Sequence, residues 1–438
     1  MDLKINPLAN NLNGEITAPG SKSYSHRAFI AASLADGISI IKNPLVSGDA
    51  GVTIDILRSL GIKILKVDNS SYIIERSKGS FKPYKRALDC KNSGTSIRIF
   101  SVLSLLVKGG LTLTGEFIRR KRPLLPLLNS IESLGAKFKL SNEKLQIKRK
   151  KVSCNKVKIP GNISSQFITA LLIVCPLLKC DNKDYIEIEL TSPLVSSPYL
   201  KITLDVLNSF GIHIQENFKE GKFYITTEQN YRAQSYEIPG DFSSASFLIA
   251  ATVLCSKESK VIINNLSTKN FQGDTKIIEI LNKMGANIKI DESRHQVIIE
   301  GNLNNYPLKG VEIDCHDIPD LFPILAVLGA FAEGKTTLFN ALHLRSKECD
   351  RISVIARELE KMGVEVIEES DRLTILRCNN LKGINVDHDN DHRIAMACSI
   401  AALYASSSSQ IKNIDIVNDS YPTFLNDLKK LGAQLELV

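Results

Sequence analysis

One short pattern recurs six times along the 438 residues: a helix with apolar residues three and four apart, closed by a bulky apolar residue and a glycine. The copies read IDILRSLGIKI, LLNSIESLGAKF, LDVLNSFGIHI, IIEILNKMGANI, IARELEKMGVEV and FLNDLKKLGAQL, with glycines at Gly61, Gly135, Gly211, Gly285, Gly363 and Gly432. Successive glycines lie 69 to 78 residues apart. A glycine after an amphipathic run supplies the left-handed residue that stops a helix. A fixed period of this length means one supersecondary unit used repeatedly. In most copies a β-rich stretch follows, such as KFYITTE or HQVIIEG.

A second helix precedes each of these. Its entrances read PGSKSYSHRAFIAASL, KNSGTSIRIFSVLSLL, PGNISSQFITALLIV, PGDFSSASFLIAATVL, HDIPDLFPILAVLGA and NDHRIAMACSIAALY. Small, polar or Pro-Gly residues give way to an alanine- and leucine-rich run, which suits a helix buried on all sides. Strand-like GISIIKN, GLTLTG and KVIINN come next in three copies. The expectation is an α/β (α+β) chain filled by six βαβαββ units, each of about 70 residues.

The net charge of +8 comes from scattered lysines, with no basic tail and no interleaving of aromatic and basic residues. A solvated surface is the expected reading, and no nucleic-acid partner is expected. The Met1 end, MDLKINPLANN, is polar and shows no signal peptide. The longest apolar runs, such as ITALLIVCPLL, are too short to span a membrane, so no membrane partner is expected either. Nine cysteines, an odd number without a CxxC pair, point to reduced thiols in a cytoplasmic protein.

Helix N-termini expose free N–H groups and the positive end of the helix dipole, and anions bind there. GSKSYSHR places Lys22, Ser23 and Arg27 at such an end, and NSGTSIR and NISSQ repeat the decoration at Asn92–Arg98 and Asn162–Gln166. Serine caps and solvated cations would give any one of these stretches; three together favour a shared anion site. GAFAEGKT, Gly329 to Thr336, matches the P-loop pattern, but its order is helix then strand, so Gly334 reads as a helix stop. HDNDH, His388 to His392, suits a metal or, better, a polar helix entrance with Asp391 as cap and Arg393 facing an anion. In RSKECDR, Lys347 and Arg351 share a helical face if the helix has begun there, with Glu348 beside them. A carboxylate among cations can exchange protons with a bound substrate.

Taken in order, PGSKSYSHR, NSGTSIR, the RP of KRPLLPLL, GNISSQF, SPY, IPD, LRSKECDR and NDHRIAMA resemble the 5-enolpyruvylshikimate-3-phosphate synthase family of enolpyruvyl transferases, over about residues 15–425. The resemblance implies a two-domain, inside-out α/β barrel-like fold with three repeats per domain. Residues 21–240 would form one domain, residues 1–20 plus 241–438 the other, and the site would lie in the cleft between. It implies attack of the 5-hydroxyl of shikimate 3-phosphate on C2 of phosphoenolpyruvate, without metal or organic cofactor, by a single-chain enzyme. By motif position Lys22, Asn92, Gly94, Arg122, Gln166, Arg351 and Arg393 would meet phosphoenolpyruvate. Ser23, Arg27, Ser164, Ser165, Gln166, Ser196, Tyr199 and Lys347 would meet shikimate 3-phosphate, together with Lys22 and Asp320. Asp320 would take the hydroxyl proton, Glu348 would handle the proton at C3, and Lys22 would be the third catalytic residue. Gly94 would leave room for glyphosate, an inhibitor of the family. Two positions depart from the family pattern: His343 stands for an asparagine or acid, and Asp419 for a lysine. The sister transferase acting on UDP-N-acetylglucosamine carries a reactive cysteine where FIRRKRPLL has none, and RNA 3′-phosphate cyclases need a nucleotide site.

Overall fold

In the computed structural model, which describes residues 1–76, 81–82, 84–180 and 182–438, all six repeat glycines take positive φ, from 81° at Gly211 to 118° at Gly432. They follow the helices Gly48–Ser59, Leu125–Ser133, Ser197–Ser209, Lys276–Met284, Arg351–Lys361 and Phe424–Leu431. A side chain at that φ is strained, so glycine ends each helix and turns the chain toward the next strand. The first helices of the six repeats are Lys22–Leu34, Gly94–Leu103, Ser165–Val174, Phe242–Val253, Phe322–Phe331 and His392–Leu403. Every residue of Phe242–Val253 and of His392–Leu403 is buried. Their apolar surface therefore faces protein all round, as the alanine- and leucine-rich runs require.

The chain divides into two compact units, residues 20–238 and residues 1–19 with 239–438. Each has its own apolar core: one gathers side chains from Tyr24 to Ile238, the other those of Leu3 to Ala18 and Phe242 to Leu435. Among the described residues each unit holds three four-stranded sheets, so the expected α/β architecture of six repeats is the one found. In every sheet one edge strand runs parallel to its neighbour and the other two pairings are antiparallel.

The repeats are not all contiguous in the chain. Three of them are, with sheets drawn from residues 88–149, 157–226 and 312–376. The other three borrow a strand. Strand Ser235–Glu237 lies parallel to Gly37–Lys42 and opens the first repeat's sheet. Strand Asn13–Thr17 lies parallel to Ser259–Asn264 and opens the fourth. Strand Leu3–Ile5 pairs with both Ser409–Ile411 and Leu435–Leu437 and completes the sixth. The strand before each Pro-Gly crossing thus stays in the unit that the chain is leaving. Close packing fixes both turns: a Cβ on Gly20 would lie 1.9 Å from the carbonyl oxygen of Asn43, and one on Gly240 would lie 1.8 Å from that of Asn265.

Helix Phe322–Phe331 precedes strand Lys335–Phe339, and Gly334 between them has φ 83°, so GAFAEGKT is a helix stop and not a phosphate loop. The thiols differ from expectation. Cys154 and Cys180 form a disulfide, with Cα atoms 5.5 Å apart, and the other seven cysteines are free. These two lie 26 residues apart and come together only through tertiary packing, which no local spacing reveals. Among the described residues no helix is long and apolar enough to cross a membrane.

Candidate active site

In the unit of residues 20–238 the polar helix starts gather most of the expected residues. Ser21, Ser93 and Ser164 occupy the N-cap positions of the three buried helices; Ser93 accepts from the N–H of Ser96, and Ser164 from that of Gln166. Neutral caps leave the dipole's positive end uncompensated by a carboxylate. Lys22 lies in the first turn of its helix, its Nζ 3.8 Å from Asp49 Oδ2. One turn on, Arg27 is buried, and its guanidinium donates to Thr203 Oγ1, Thr169 Oγ1 and the carbonyl oxygens of Ser23 and Tyr199. Burial lowers its pKa to about 10. A buried cation held by hydroxyls and carbonyls is not neutralised by them, and it draws an anion to its surroundings.

Gln166 ties two helix starts together. Its Oε1 accepts from Arg98 Nη1 at 2.5 Å, and its Nε2 donates to Thr95 Oγ1 at 3.1 Å. Arg122 Nη1 donates to the carbonyl and side-chain oxygens of Asn92 at 2.8 and 3.3 Å, and its guanidinium stacks over the Phe117 ring. A Cβ on Gly94 would meet Arg98 Nη1, Gln166 Oε1 and Arg122 Nη2 at 3.2 to 3.3 Å, so Gly94 lies at the meeting point of these groups. Ser164 and Ser165 are buried beside Gln166. Ser196 has a left-handed backbone, φ 57°, and its buried hydroxyl finds no hydrogen-bond partner among the described residues. Tyr199 follows it in the first turn of helix Ser197–Ser209, and Ser23 is half-buried beside Lys22.

The other unit brings together the acids and the remaining cations. Arg351, 1% exposed, sits at the centre: Nε to Asp391 at 2.7 Å, Nη1 to Asp320 at 2.8 Å and Nη2 to Glu348 at 2.8 Å. Burial works against its charge, and the carboxylates of Asp391, Glu348 and Asp320 outweigh that, holding its pKa above the usual arginine value. Asp320 also meets Arg393 Nη2 at 2.9 Å, so one carboxylate bridges two guanidiniums. Asp391 caps helix His392–Leu403 by accepting from the Arg393 N–H at 2.8 Å. HDNDH is thus a helix entrance, and among the described residues no group of His, Cys, Asp and Glu is arranged to hold a metal ion.

One expectation fails here. Helix Arg351–Lys361 starts only at Arg351, because Asp350 caps it by accepting from the Ser353 N–H. Lys347 lies before the cap and shares no helical face with Arg351. The i, i+3 partner of Arg351 is Glu348 instead. His343, from the short helical turn Leu342–Ser346, is buried, and its pKa is pushed down to about 3 by burial and by Lys347 and His316. It is a neutral imidazole beside Lys347. Asp419 ends another short turn, Ile414–Asp419.

Three contacts escaped the sequence reading. Arg98 orients Gln166, Asp49 faces Lys22, and Asp391 anchors Arg351 besides capping its helix. Arg98 had a signal, since it closes the motif NSGTSIR; Asp49 had none.

A model of the family "EPSP synthase (3-phosphoshikimate 1-carboxyvinyltransferase)" matches residues 8–428. The chain is 44% identical, over the whole of both proteins, to 3-phosphoshikimate 1-carboxyvinyltransferase of Methanocaldococcus jannaschii. It is 41% identical to that of Methanococcus maripaludis strain C5, over 98% of each. Among solved structures, an EPSP synthase from Acinetobacter baumannii is similar with TM-score 0.81 at 26% identity, over 99% of both chains. The enolpyruvyl transferase NikO from Streptomyces tendae shares the fold, with TM-score 0.79 at 18% identity over 99% of this chain and 98% of that one. The fold is that of enolpyruvyl transferases. The chain belongs to the EPSP synthase family.

Proposed function

We propose that the residues gathered in the two units serve one addition–elimination reaction. The reaction is transfer of the enolpyruvyl group of phosphoenolpyruvate to the 5-hydroxyl of shikimate 3-phosphate, with release of phosphate, in the shikimate pathway toward aromatic amino acids. The hydroxyl oxygen bonds to C2 of phosphoenolpyruvate, its proton passes to a carboxylate, and C3 gains a proton to become a methyl group. The tetrahedral intermediate then loses that C3 proton as its C2–O bond to phosphate breaks, leaving an enol ether. The protein supplies charge and proton acceptors throughout.

Lys22, Arg122, Arg351 and Arg393, with Asn92, Gly94 and Gln166, hold the phosphate and carboxylate of phosphoenolpyruvate. Ser23, Arg27, Ser164, Ser165, Gln166, Ser196, Tyr199 and Lys347 hold shikimate 3-phosphate. Asp320 takes the hydroxyl proton and Glu348 serves C3. The observation that carries this reading is Arg27, a buried cation whose hydrogen-bond partners are hydroxyls and carbonyls, at one of three neutral-capped helix starts. Asp320 is set between Arg351 and Arg393. Negative charge from both substrates beside those guanidiniums offsets their pull on its carboxylate.

The test is phosphate release from phosphoenolpyruvate with shikimate 3-phosphate as acceptor and UDP-N-acetylglucosamine as control. Release with the first acceptor alone is expected; release with the second alone would refute the reading. Glu348→Gln keeps the side chain's size and removes its proton chemistry. Turnover should fall about 10²-fold or more, while calorimetry shows shikimate 3-phosphate still bound. Lost binding with normal turnover at saturation would contradict the proton role.

Gly94→Ala would press on Gln166, Arg98 and Arg122. Crowding of this kind costs about 1–3 kcal/mol. The KM for phosphoenolpyruvate should rise, and the inhibition constant of glyphosate, the longer ligand, should rise further. Equal inhibition of parent and variant would remove Gly94 from the pocket.

A further inference from the structure

Among the buried carboxyls that the mechanism above does not use, Asp274 has the fewest partners of its own. Asp274 lies in the short turn Gly273–Thr275 that leads into helix Lys276–Met284, and it is 4% exposed. Ser243 Oγ donates to its Oδ2, while Oδ1 has no hydrogen-bond partner among the described residues. The first repeat offers a comparison. There Gly48-Asp49 opens the second helix and Asp49 faces Lys22. In the fourth repeat Gly273-Asp274 opens the second helix, but the position of Lys22, two residues after the Pro-Gly glycine, is taken by Phe242. Asp274 therefore lacks the cation that its counterpart has.

Its charged neighbours come from other elements. Asp320 precedes helix Phe322–Phe331, Arg393 lies in the first turn of helix His392–Leu403, and Asp241 caps helix Phe242–Val253. On its own element Lys276 and Glu279 follow. Burial and Asp320 push the Asp274 carboxyl up to about 7, against the Ser243 hydrogen bond and the Arg393 charge. Asp320 is itself tied to Arg393 and Arg351, so the two carboxyls and the Arg393 guanidinium form one electrostatic group.

We propose that Asp274 is a positioning residue for Asp320, a carboxyl partner whose charge sets how strongly Asp320 takes the substrate proton. This rests on the reading that Asp320 accepts the proton of the 5-hydroxyl. With Asp274 ionised, its negative charge raises the proton affinity of Asp320. With Asp274 protonated, that repulsion is gone and Asp320 is a weaker base. Asp274 forms no bond to substrate; the proton passes from the hydroxyl to Asp320 alone. Turnover should therefore climb as pH rises through the ionisation of Asp274.

The experiment is kcat and kcat/KM from about pH 5 to 9 for the parent, Asp274→Asn and Ser243→Ala, with shikimate 3-phosphate affinity measured by calorimetry. Asp274→Asn imitates the protonated state, so the climb near neutrality should vanish. Turnover should then lie about tenfold or more below the parent on the alkaline side and match it on the acid side. Ser243→Ala removes a hydrogen bond that favours the ionised form and should move the climb to higher pH; if Asp274→Asn does not fold, this variant decides alone. Affinity should change by no more than about twofold in either. Unaltered pH profiles, or a drop by the same factor at every pH, would overturn the proposal. A parent that releases no phosphate with shikimate 3-phosphate would instead refute the proposed function itself.

Discussion

Replacing Lys22 with methionine should lower turnover by about 10²–10³-fold, the range seen when one preorganised donor to a developing oxyanion is removed. Lys22 stands in the first turn of a buried helix, its side chain 14% exposed, where dipole and ammonium charge act in the same direction. Both substrates are anions, and negative charge grows on the departing phosphate. An interaction that strengthens along that path raises kcat rather than only tightening binding. Methionine keeps the length of the side chain and favours a helix, so the variant should melt close to the parent. Its Asp49 partner is 18% exposed, which limits the penalty of leaving that carboxylate behind. Near-normal kcat in a folded variant would remove Lys22 from the reaction.

Arg351→Met should destabilise the protein by about 3–5 kcal/mol, the usual loss when one partner of a buried ionic group is deleted. Three carboxylates, Asp391, Asp320 and Glu348, converge on this guanidinium. Asp391 is 0% exposed, so it would remain charged and desolvated or would take up a proton. The urea midpoint should fall and stability should become more sensitive to alkaline pH, where those acids must ionise. Activity should be lost as well, since the same arginine is proposed to clamp phosphoenolpyruvate. Adding Asp391→Asn should return part of the stability and none of the activity, a coupling that a double-mutant cycle reads directly. An unchanged midpoint in Arg351→Met would contradict the view that this arginine organises the cluster.

These two residues also mark where the sequence is legible. Lys22 could be read because its neighbours are local: Pro-Gly, small hydroxyls and an apolar run mark a helix start within ten residues. The six terminating glycines are legible for the same reason, since positive φ is a property of one residue. Arg351 was visible as a cation in a charged stretch, but its strongest partner, Asp391, lies 40 positions away and reads locally as a helix cap. The Arg98–Gln166 hydrogen bond spans 68 positions. The resemblance placed the segments holding Asn13–Thr17 and Ser235–Glu237 in their units, but the strands they pair with were hidden, because the two segments look alike locally: each is a short strand followed by Pro-Gly. Only pairing partners distinguish them, and those are tertiary. The misplaced start of helix Arg351–Lys361 has a local cause. Asp350 competes as a cap within a run where Lys, Glu and Arg would all suit a helix.

Which bond of phosphoenolpyruvate breaks is the most direct test of the account. With ¹⁸O placed in the oxygen that bridges C2 and phosphorus, attack by the 5-hydroxyl on C2 followed by elimination breaks the carbon–oxygen bond. The label should leave in the released phosphate, and only when shikimate 3-phosphate is present. Label retained on the three-carbon unit would mean cleavage between phosphorus and oxygen, a phosphoryl transfer or hydrolysis, and would contradict the assignment of these helix starts and carboxylates to enolpyruvyl transfer.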